Sequence, residues 1–112
     1  MENSVFVYDL SPLSDSLPSI TPAMVLLNVF MQLANDVNEI RTTKNELATV
    51  LGKSRRTIAE WIIQLCKSGA IKYKYKGIVC VNPLVYYKGT AQNYKNARNN
   101  WEEFKSDIKA QR

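Results

Sequence analysis

Residues 43 to 81 hold the pattern that most constrains how this chain can fold. Thr43, followed three residues later by Glu46, is a capping box, which predicts a helix that continues through Val50. Gly52 then predicts a sharp turn, because glycine adopts left-handed backbone conformations without steric cost. A helix this short has to be stabilised by packing against the segment that follows it.

A longer helix is predicted directly after this turn. Ser54 is its expected N-cap, and Gly69 is the expected left-handed stop after Lys67 or Ser68. Small residues let the two helices approach closely, and large apolar residues fill the space between them. The positions that set this crossing are Ala48, Gly52, Ile58 and Trp61, and the other inward-facing residues are Leu47, Leu51, Ile62 and Leu65. Together they predict a helix-turn-helix.

Apolar residues and lysines alternate immediately after this second helix. The two faces of the predicted strand are formed by Ile71, Tyr73 and Tyr75 and by Lys72, Lys74 and Lys76. Gly77 turns the chain, and residues 78–81 return as a continuously apolar strand. A helix-turn-helix followed by a two-stranded hairpin is a winged helix-turn-helix. The expected fold is therefore mainly α with a small β-wing.

An apolar helix is predicted to precede this motif. Thr21 and Pro22 start it, since Thr is a good cap and Pro suits the first helical position, and it ends near Asn35. It is apolar on nearly every side, so it should be buried on more than one side. The second buried side fits the core and a dimer interface equally well. Ile40 and Arg41 then form a short extended piece, where winged-helix folds often place a first strand.

The chain, at 112 residues, is expected to fold as one small domain with two flanking segments. Residues 1–20 combine a short apolar run with a Ser/Pro/Asp-rich stretch, which predicts an N-terminal arm with a short strand or loose segment followed by a loop. Residues 21–89 form the winged helix-turn-helix domain. Residues 90–112 form a C-terminal helix.

This C-terminal helix carries a narrow apolar stripe at alternating spacings of three and four. The stripe consists of Tyr94, Ala97, Trp101, Phe104 and Ile108. Such spacing is typical of a coiled-coil seam. The stripe can fold back onto its own domain or pair with a second copy, and its narrowness favours pairing. We therefore expect a homodimer.

Positive charge is concentrated in the middle of the chain. Residues 1–52 carry two Lys or Arg against six Asp or Glu, residues 53–88 carry eight against one, and residues 89–112 carry five against three, for net charges of −4, +7 and +2. This distribution predicts an anionic partner, double-stranded DNA, on the face formed by the second helix and the wing. A solvated lysine surface is the alternative.

The outward face of the second helix is the expected DNA reader. Arg55, Arg56 and Thr57 lie at its N-terminal end, which enters the major groove in this motif. An arginine can bind guanine O6 and N7 together, and Glu60 or Gln64 can contact cytosine or adenine. A surface ion pair between Arg56 and Glu60 is the alternative role for those two side chains.

Further residues are expected to contact phosphates, which fix the orientation of a protein on DNA without reading its sequence. These residues are Lys53, Ser54 and Thr57 beside the reading helix and Lys72, Lys74 and Lys76 on the wing. Lysines on an edge strand also protect a sheet against aggregation. The two roles are compatible.

The composition argues against a catalytic centre. The chain has no histidine, and Cys66 and Cys80 lie far apart, so neither a zinc finger nor a Cys/His pair can be assembled. Tyr86 and Tyr87 are candidate nucleophiles for DNA, but packing at the base of the wing is the preferred interpretation. We therefore expect no enzyme activity, no cofactor and no metal. The longest apolar run is short of the ~20 residues of a membrane span, so a cytoplasmic protein without a membrane partner is expected.

Three sequence strings carry a family resemblance: ELATVLGKSRRTI, LCKSGAIKY and VNPLVYYKG. The stretch from Glu46 to Gly89 resembles the winged-helix replication proteins of Gram-positive plasmids, the RepL type. The resemblance implies DNA contacts at Arg55, Arg56 and Thr57 and wing contacts at residues 72–76. It also implies a role in initiating or controlling replication of a plasmid or mobile element, with a replication-machinery protein as a further partner. The alternatives are a small transcriptional regulator and an interaction module, such as an accessory subunit of a polymerase or partition system.

Overall fold

A computed structural model describes residues 3–75 and 77–103, and it describes only the backbone at residues 74 and 75. The chain is mainly helical with two small antiparallel sheets. This agrees with the prediction of a mainly α fold with a small amount of β structure. The helices are α1 (Leu17–Ile20), α2 (Met24–Leu33), α3 (Lys44–Leu51), α4 (Arg55–Ser68) and α5 (Ala91–Glu102). The strands are β1 (Ser4–Tyr8), β2 (Glu39–Arg41), β3 (Ile71–Tyr75), β4 (Ile78–Val81) and β5 (Tyr86–Thr90).

The ends of α3 and α4 are formed by the predicted caps. The backbone N–H of Glu46 donates to Oγ1 of Thr43 at 3.1 Å, and the N–H of Thr57 donates to Oγ of Ser54 at 3.1 Å. Both helices end at left-handed glycines, Gly52 (φ 64°) and Gly69 (φ 86°). The helix boundaries in this region could be predicted because each depends on residues within one helical turn.

The second sheet has the strand order β2-β4-β3, with both pairs antiparallel. Val79 of β4 lies opposite Ile40 on one side and Tyr73 on the other. This arrangement confirms the predicted hairpin of residues 71–81 and the short extended piece at Ile40 and Arg41. The sheet therefore joins the segment before α3 to the segment after α4.

Residues 11–20, predicted to be a loop, are helical. A 3₁₀ turn at Ser11–Ser16 leads into α1, and a second 3₁₀ turn at Thr21–Ala23 leads into α2. Each of these short pieces has a proline in its first turn, where the missing N–H is not needed. Leu13 and Ile20 anchor the segment, since both are buried in the core. The prediction was wrong because these prolines start helical turns instead of interrupting them.

The helical stretch Ser11–Leu33 is long and apolar enough to cross a membrane, by length and composition alone. Core helices of soluble proteins meet the same criterion. Seven of its side chains belong to the hydrophobic core: Leu13, Ile20, Ala23, Leu26, Leu27, Phe30 and Met31. They pack with α4 residues such as Ile58, Ile62 and Leu65, so α2 forms the inner support of the helix pair. Val25 and Leu33, on another side of α2, are about half exposed at 47% and 58%.

A two-stranded sheet of β1 and β5 was not fully anticipated. Tyr8 pairs with Tyr86 and Ser4 with Thr90, so the N-terminal strand lies against the segment just before α5. The short N-terminal strand is confirmed, but its partner was not predicted.

A Cβ atom added to Gly89 of β5 would lie 2.7 Å from the Tyr87 hydroxyl oxygen. Glycine is thus required there because the Tyr87 side chain lies across its backbone.

Asn38 connects the two sheets. It is 1% exposed and its φ is +63°. Its Nδ2 donates to the carbonyl oxygen of Val81 at 3.1 Å and to that of Tyr86 at 2.7 Å. These two bonds tie the end of β4 and the start of β5 to the turn before β2.

Candidate nucleic-acid interface

The outward face of α4 has the exposure that the sequence predicts. Ile58, Ile62 and Leu65 are buried, and the predicted DNA-contacting residues lie on the other side of the helix. Those exposed in the structure are Lys53, Ser54, Arg55, Arg56, Glu60 and Gln64, and Thr57 is partly exposed. A row of polar and cationic side chains therefore runs along one helix face.

Arg56 and Glu60 form the surface ion pair that was considered as an alternative. Nε of Arg56 lies 3.4 Å from Oε1 of Glu60, with the side chains 89% and 59% exposed. An exposed pair of this kind contributes about 0.3–0.5 kcal/mol. That is small compared with a bidentate contact to guanine, so the pair can open at little cost.

Ser54 and Thr57 are engaged in starting α4. Besides its capping bond, the Ser54 hydroxyl donates to Oγ1 of Thr57 at 3.0 Å. Together they fix the first turn, whose free N–H groups and positive dipole end favour an anion. Arg55 and Arg56 sit on this same turn.

Lys44 adds a cation that the sequence reasoning missed. It is the first residue of α3, is partly buried, and lies close enough to Arg55 for their charges to interact. Burial, and to a smaller extent the Arg55 charge, lowers the pKa of the Lys44 ammonium. The packing of α3 against α4 brings Lys44 within electrostatic range of Arg55, and the lysine directly after the Thr43 cap was the available signal.

The β3–β4 turn also lies beside the start of α3. The N–H of Thr42 donates to the carbonyl oxygen of Gly77 at 2.9 Å, and the N–H of Gly77 donates to the Tyr73 hydroxyl at 3.0 Å. Arg41, which is exposed, pairs with Ile78 next to this turn. The start of α3 therefore lies beside the hairpin turn and within electrostatic range of Arg55, with Arg41 of β2 nearby.

Lys72 makes a contact within the protomer that the sequence did not predict, and its DNA contact stays a prediction. Its Nζ donates to the carbonyl oxygen of Trp101 in the last turn of α5 and lies 4.3 Å from the centroid of a Trp101 ring. The side chain therefore stabilises the C-terminal end of α5 through a charge–dipole contact and a cation–π contact. Of the other predicted hairpin lysines, Lys76 and the side chain of Lys74 lie outside the described part of the chain.

The predicted seam of α5 is largely used within the protomer. Ala97 is fully buried, and the Tyr94 ring lies 5.1 Å from that of Tyr87. Ala97 consequently offers no surface to a second copy. Phe104 and Ile108, which complete the stripe, lie outside the described residues. The fold-back alternative holds for the part of α5 that is described.

Tyr87, one of the two tyrosines considered as nucleophiles, is enclosed by the fold. Its hydroxyl is fully buried and donates to the carbonyl oxygen of Asp36 at 2.8 Å. Burial, and then the charge of Asp36, raises the pKa of this hydroxyl. The packing role that was preferred for Tyr87 is confirmed.

Lys72→Met tests the placement of that lysine. We expect the free energy of unfolding to fall by about 1 kcal/mol, because the ammonium contacts with Trp101 are lost while the alkyl stem is kept. Chemical denaturation measures this, and Lys95→Met, at an exposed position in the middle of α5, is the matched control. If the Lys72→Met variant instead binds DNA more weakly and is as stable as the parent, the main role of Lys72 is a contact with DNA.

Residues 23–112, all but the first 22 residues, match the model of the Firmicute plasmid replication protein family, RepL. The chain belongs to the RepL family. The match covers both helices of the pair, the β3–β4 hairpin, β5 and α5, and it leaves β1 and α1 outside. The RepL resemblance carried by the three sequence strings is confirmed. No curated protein and no solved structure gives a match to the chain.

RepL membership implies a plasmid replication protein. Replication is a process that acts on DNA, which is the kind of anionic partner that the cationic surface suits. The cations named above on α3, α4 and the flanks of the hairpin lie within the matched segment. The RepL match therefore includes this cationic surface together with most of the chain.

Proposed function

We propose that this RepL protein binds duplex DNA sequence-specifically through a winged helix-turn-helix and thereby initiates or controls plasmid replication. The observation that carries the proposal is the exposed cationic first turn of α4, where Arg55 and Arg56 face solvent and Lys44 of α3 lies within electrostatic range of Arg55. A helix start with free N–H groups, flanked by cations, suits the DNA backbone beside the major groove. The role in replication is supported by the RepL match.

The winged-helix interpretation is supported by topology. α3 and α4 are joined by a short turn, α4 leads directly into a β3–β4 hairpin, and β2 adds the third strand. In this interpretation α4 is the recognition helix and the hairpin is the wing. The contacts to phosphates or the minor groove that the sequence predicts for Lys74 and Lys76 belong to this proposal.

Each side chain has a distinct role in the proposed complex. Arg55 and Arg56 read guanine, whereas Glu60 and Gln64 lie further along the helix and contact neighbouring bases. The phosphate contacts come from Lys44, Lys53, Ser54 and Thr57. The protein acts in the cytoplasm as a homodimer without catalytic activity of its own, and each copy binds one half of an inverted or direct repeat.

The decisive experiment is a selection of random duplex DNA by the purified chain at physiological salt, followed by sequencing of the enriched pool. We expect a repeated half-site, and its presence near a plasmid origin would establish the replication role. A half-site found only at promoters would assign the protein to transcription. Failure to enrich any motif would overturn sequence-specific binding.

Salt dependence gives an independent test of the phosphate contacts. A complex with six or more contacts should lose about 10³-fold or more in affinity between 50 and 200 mM salt. An apolar protein–protein interface would change little over the same range, which would favour an interaction module.

Lys44→Gln should have opposite effects on binding and stability. One phosphate contact is lost, so the slope of log K against log salt should become shallower by about 0.9. The lowered pKa means that the folded state disfavours the protonated ammonium, which reduces the stability of the fold. This loss of stability is complete at neutral pH, and it is relieved as the pH rises through the folded-state pKa. The variant should therefore be slightly more stable than the parent at pH 7. Binding titrations and denaturation measure the two effects, and an unchanged salt slope would remove Lys44 from the interface.

A further inference from the structure

The outer face of the β1–β5 sheet carries three aromatic side chains and one cation. We call this surface the aromatic face and define it as Phe6, Tyr8, Tyr86 and Lys88. Phe6 lies directly across from Lys88, and Tyr8 lies across from Tyr86. All four side chains point to the same side, because residues two apart on a strand share a face.

Phe6 and Tyr8 of this face are open to solvent, and Tyr86 is partly buried against the core. Phe6 is 67% exposed and Tyr8 is 56% exposed, and both are among the most exposed large apolar residues of the described chain. Tyr86 meets each of them edge to face, with centroids 6.3 Å from Phe6 and 6.5 Å from Tyr8. This geometry holds the three rings as one group and leaves much of their surface uncovered.

The opposite face of the same sheet already supplies the packing that β1 and β5 require. Tyr87 is fully buried there against Tyr94, and Val5 and Val7 are partly buried on the same side. Phe6 and Tyr8 are therefore not needed to cover the core. Large exposed aromatic patches of this kind mark binding surfaces.

We propose that the aromatic face binds single-stranded DNA, with bases stacked on Phe6 and Tyr8 and a phosphate held by Lys88. Aromatic rings beside a cation are the combination that such binders use, because every base has a face that can stack. Duplex DNA cannot use this surface in the same way, since its bases are already stacked on one another. A protein partner fits less well, because lysine is depleted from the cores of protein interfaces.

The spacing and charge of the face define how the strand lies. Side chains two residues apart on β1 are about 6.6–6.8 Å apart, which is twice the ~3.4 Å rise per nucleotide of a stacked strand. A strand running along β1 can thus bring a base to each ring. The carboxylate of Asp9 follows Tyr8 and has a lowered pKa, chiefly because the Ser11 N–H donates to it. Its negative charge places the phosphate at the Lys88 end.

The inference goes beyond the proposed function, because it adds a second DNA form on a second sheet. Binding of a fluorescein-labelled oligo(dT) to the full chain, followed by anisotropy, tests it. The Phe6→Ala/Tyr8→Ala variant should bind this probe more weakly by about tenfold or more for each ring removed. The ring-preserving Phe6→Tyr/Tyr8→Phe variant should bind like the parent. Leu33→Ala, at another half-exposed apolar position, is the matched control.

Duplex binding by the same variants separates the two proposals. Loss of oligo(dT) binding with retained duplex binding supports the aromatic face and shows that the variant is folded. Equal oligo(dT) affinity of the double-alanine variant and the parent would overturn the inference and leave the proposed function intact. A parent dimer that dissociates on the double substitution, with oligo(dT) affinity unchanged, would also overturn it and assign the face to a second copy.

Discussion

Asn38→Ala is expected to lower the free energy of unfolding by about 3 kcal/mol or more. The substitution leaves the buried carbonyl groups of Val81 and Tyr86 without their donor, at about 1–3 kcal/mol each. It also places alanine at φ +63°, where a residue with a Cβ is strained by roughly 1–2 kcal/mol. Denaturant unfolding followed by circular dichroism measures the loss.

Asn38→Gly is the matched variant for this experiment. It removes the same two hydrogen bonds but adopts the left-handed conformation without strain. We therefore expect the glycine variant to be less destabilised than the alanine variant, and their difference gives the cost of the backbone conformation. Parent-like stability of both variants would contradict the role of Asn38 in joining the sheets.

Arg55→Ala/Arg56→Ala is expected to weaken binding of the selected duplex site by about 100-fold, because each bidentate contact to guanine contributes about 1–3 kcal/mol. The side chains are exposed at the first turn of α4, so the loss of binding should come without a large loss of stability. Fluorescence anisotropy on the enriched site and on a scrambled site measures the affinity and the specificity.

Lys95→Ala/Arg98→Ala is the matched control, since it removes two exposed cations from α5 and lowers the net charge by the same amount. If both double variants lose affinity equally, charge alone accounts for binding.

The single Arg56→Ala variant should relax the base preference at one position, whereas Lys53→Ala should weaken binding to all sequences about equally. Intact specific binding by Arg56→Ala would mean that the orientation proposed for α4 is incorrect.

The helix pair and the hairpin could be predicted from the sequence because their signals are local. Thr43 and Ser54 cap helices through bonds to residues three positions away, and Gly52 and Gly69 end the same helices. Alternation along β3 requires only neighbouring residues. Predictions of this kind depend on a few adjacent positions and not on the rest of the fold.

The features that were missed depend on contacts between distant parts of the chain. Lys72 has the spacing of a solvent-facing strand residue, and its preference for Trp101 arises only when α5 returns to β3. Lys44 becomes part of the cationic cluster only when α3 and α4 are packed together. The pairing of β1 with β5 likewise leaves no periodic signal in the sequence, because paired residues such as Tyr8 and Tyr86 lie far apart along the chain.

The β1–β5 pairing has a consequence for folding during synthesis. β1 leaves the ribosome first, but its partner is complete only when Thr90 has been made, so the helix pair and hairpin can form before β1 is placed. Contacts between such distant residues close slowly. Phe6 and Tyr8 are unpaired throughout that interval, as is the strand edge beside them, and such surfaces promote aggregation. Slower translation of the stretch between Tyr8 and Thr90 would therefore lengthen the period in which a nascent chain is most vulnerable to aggregation.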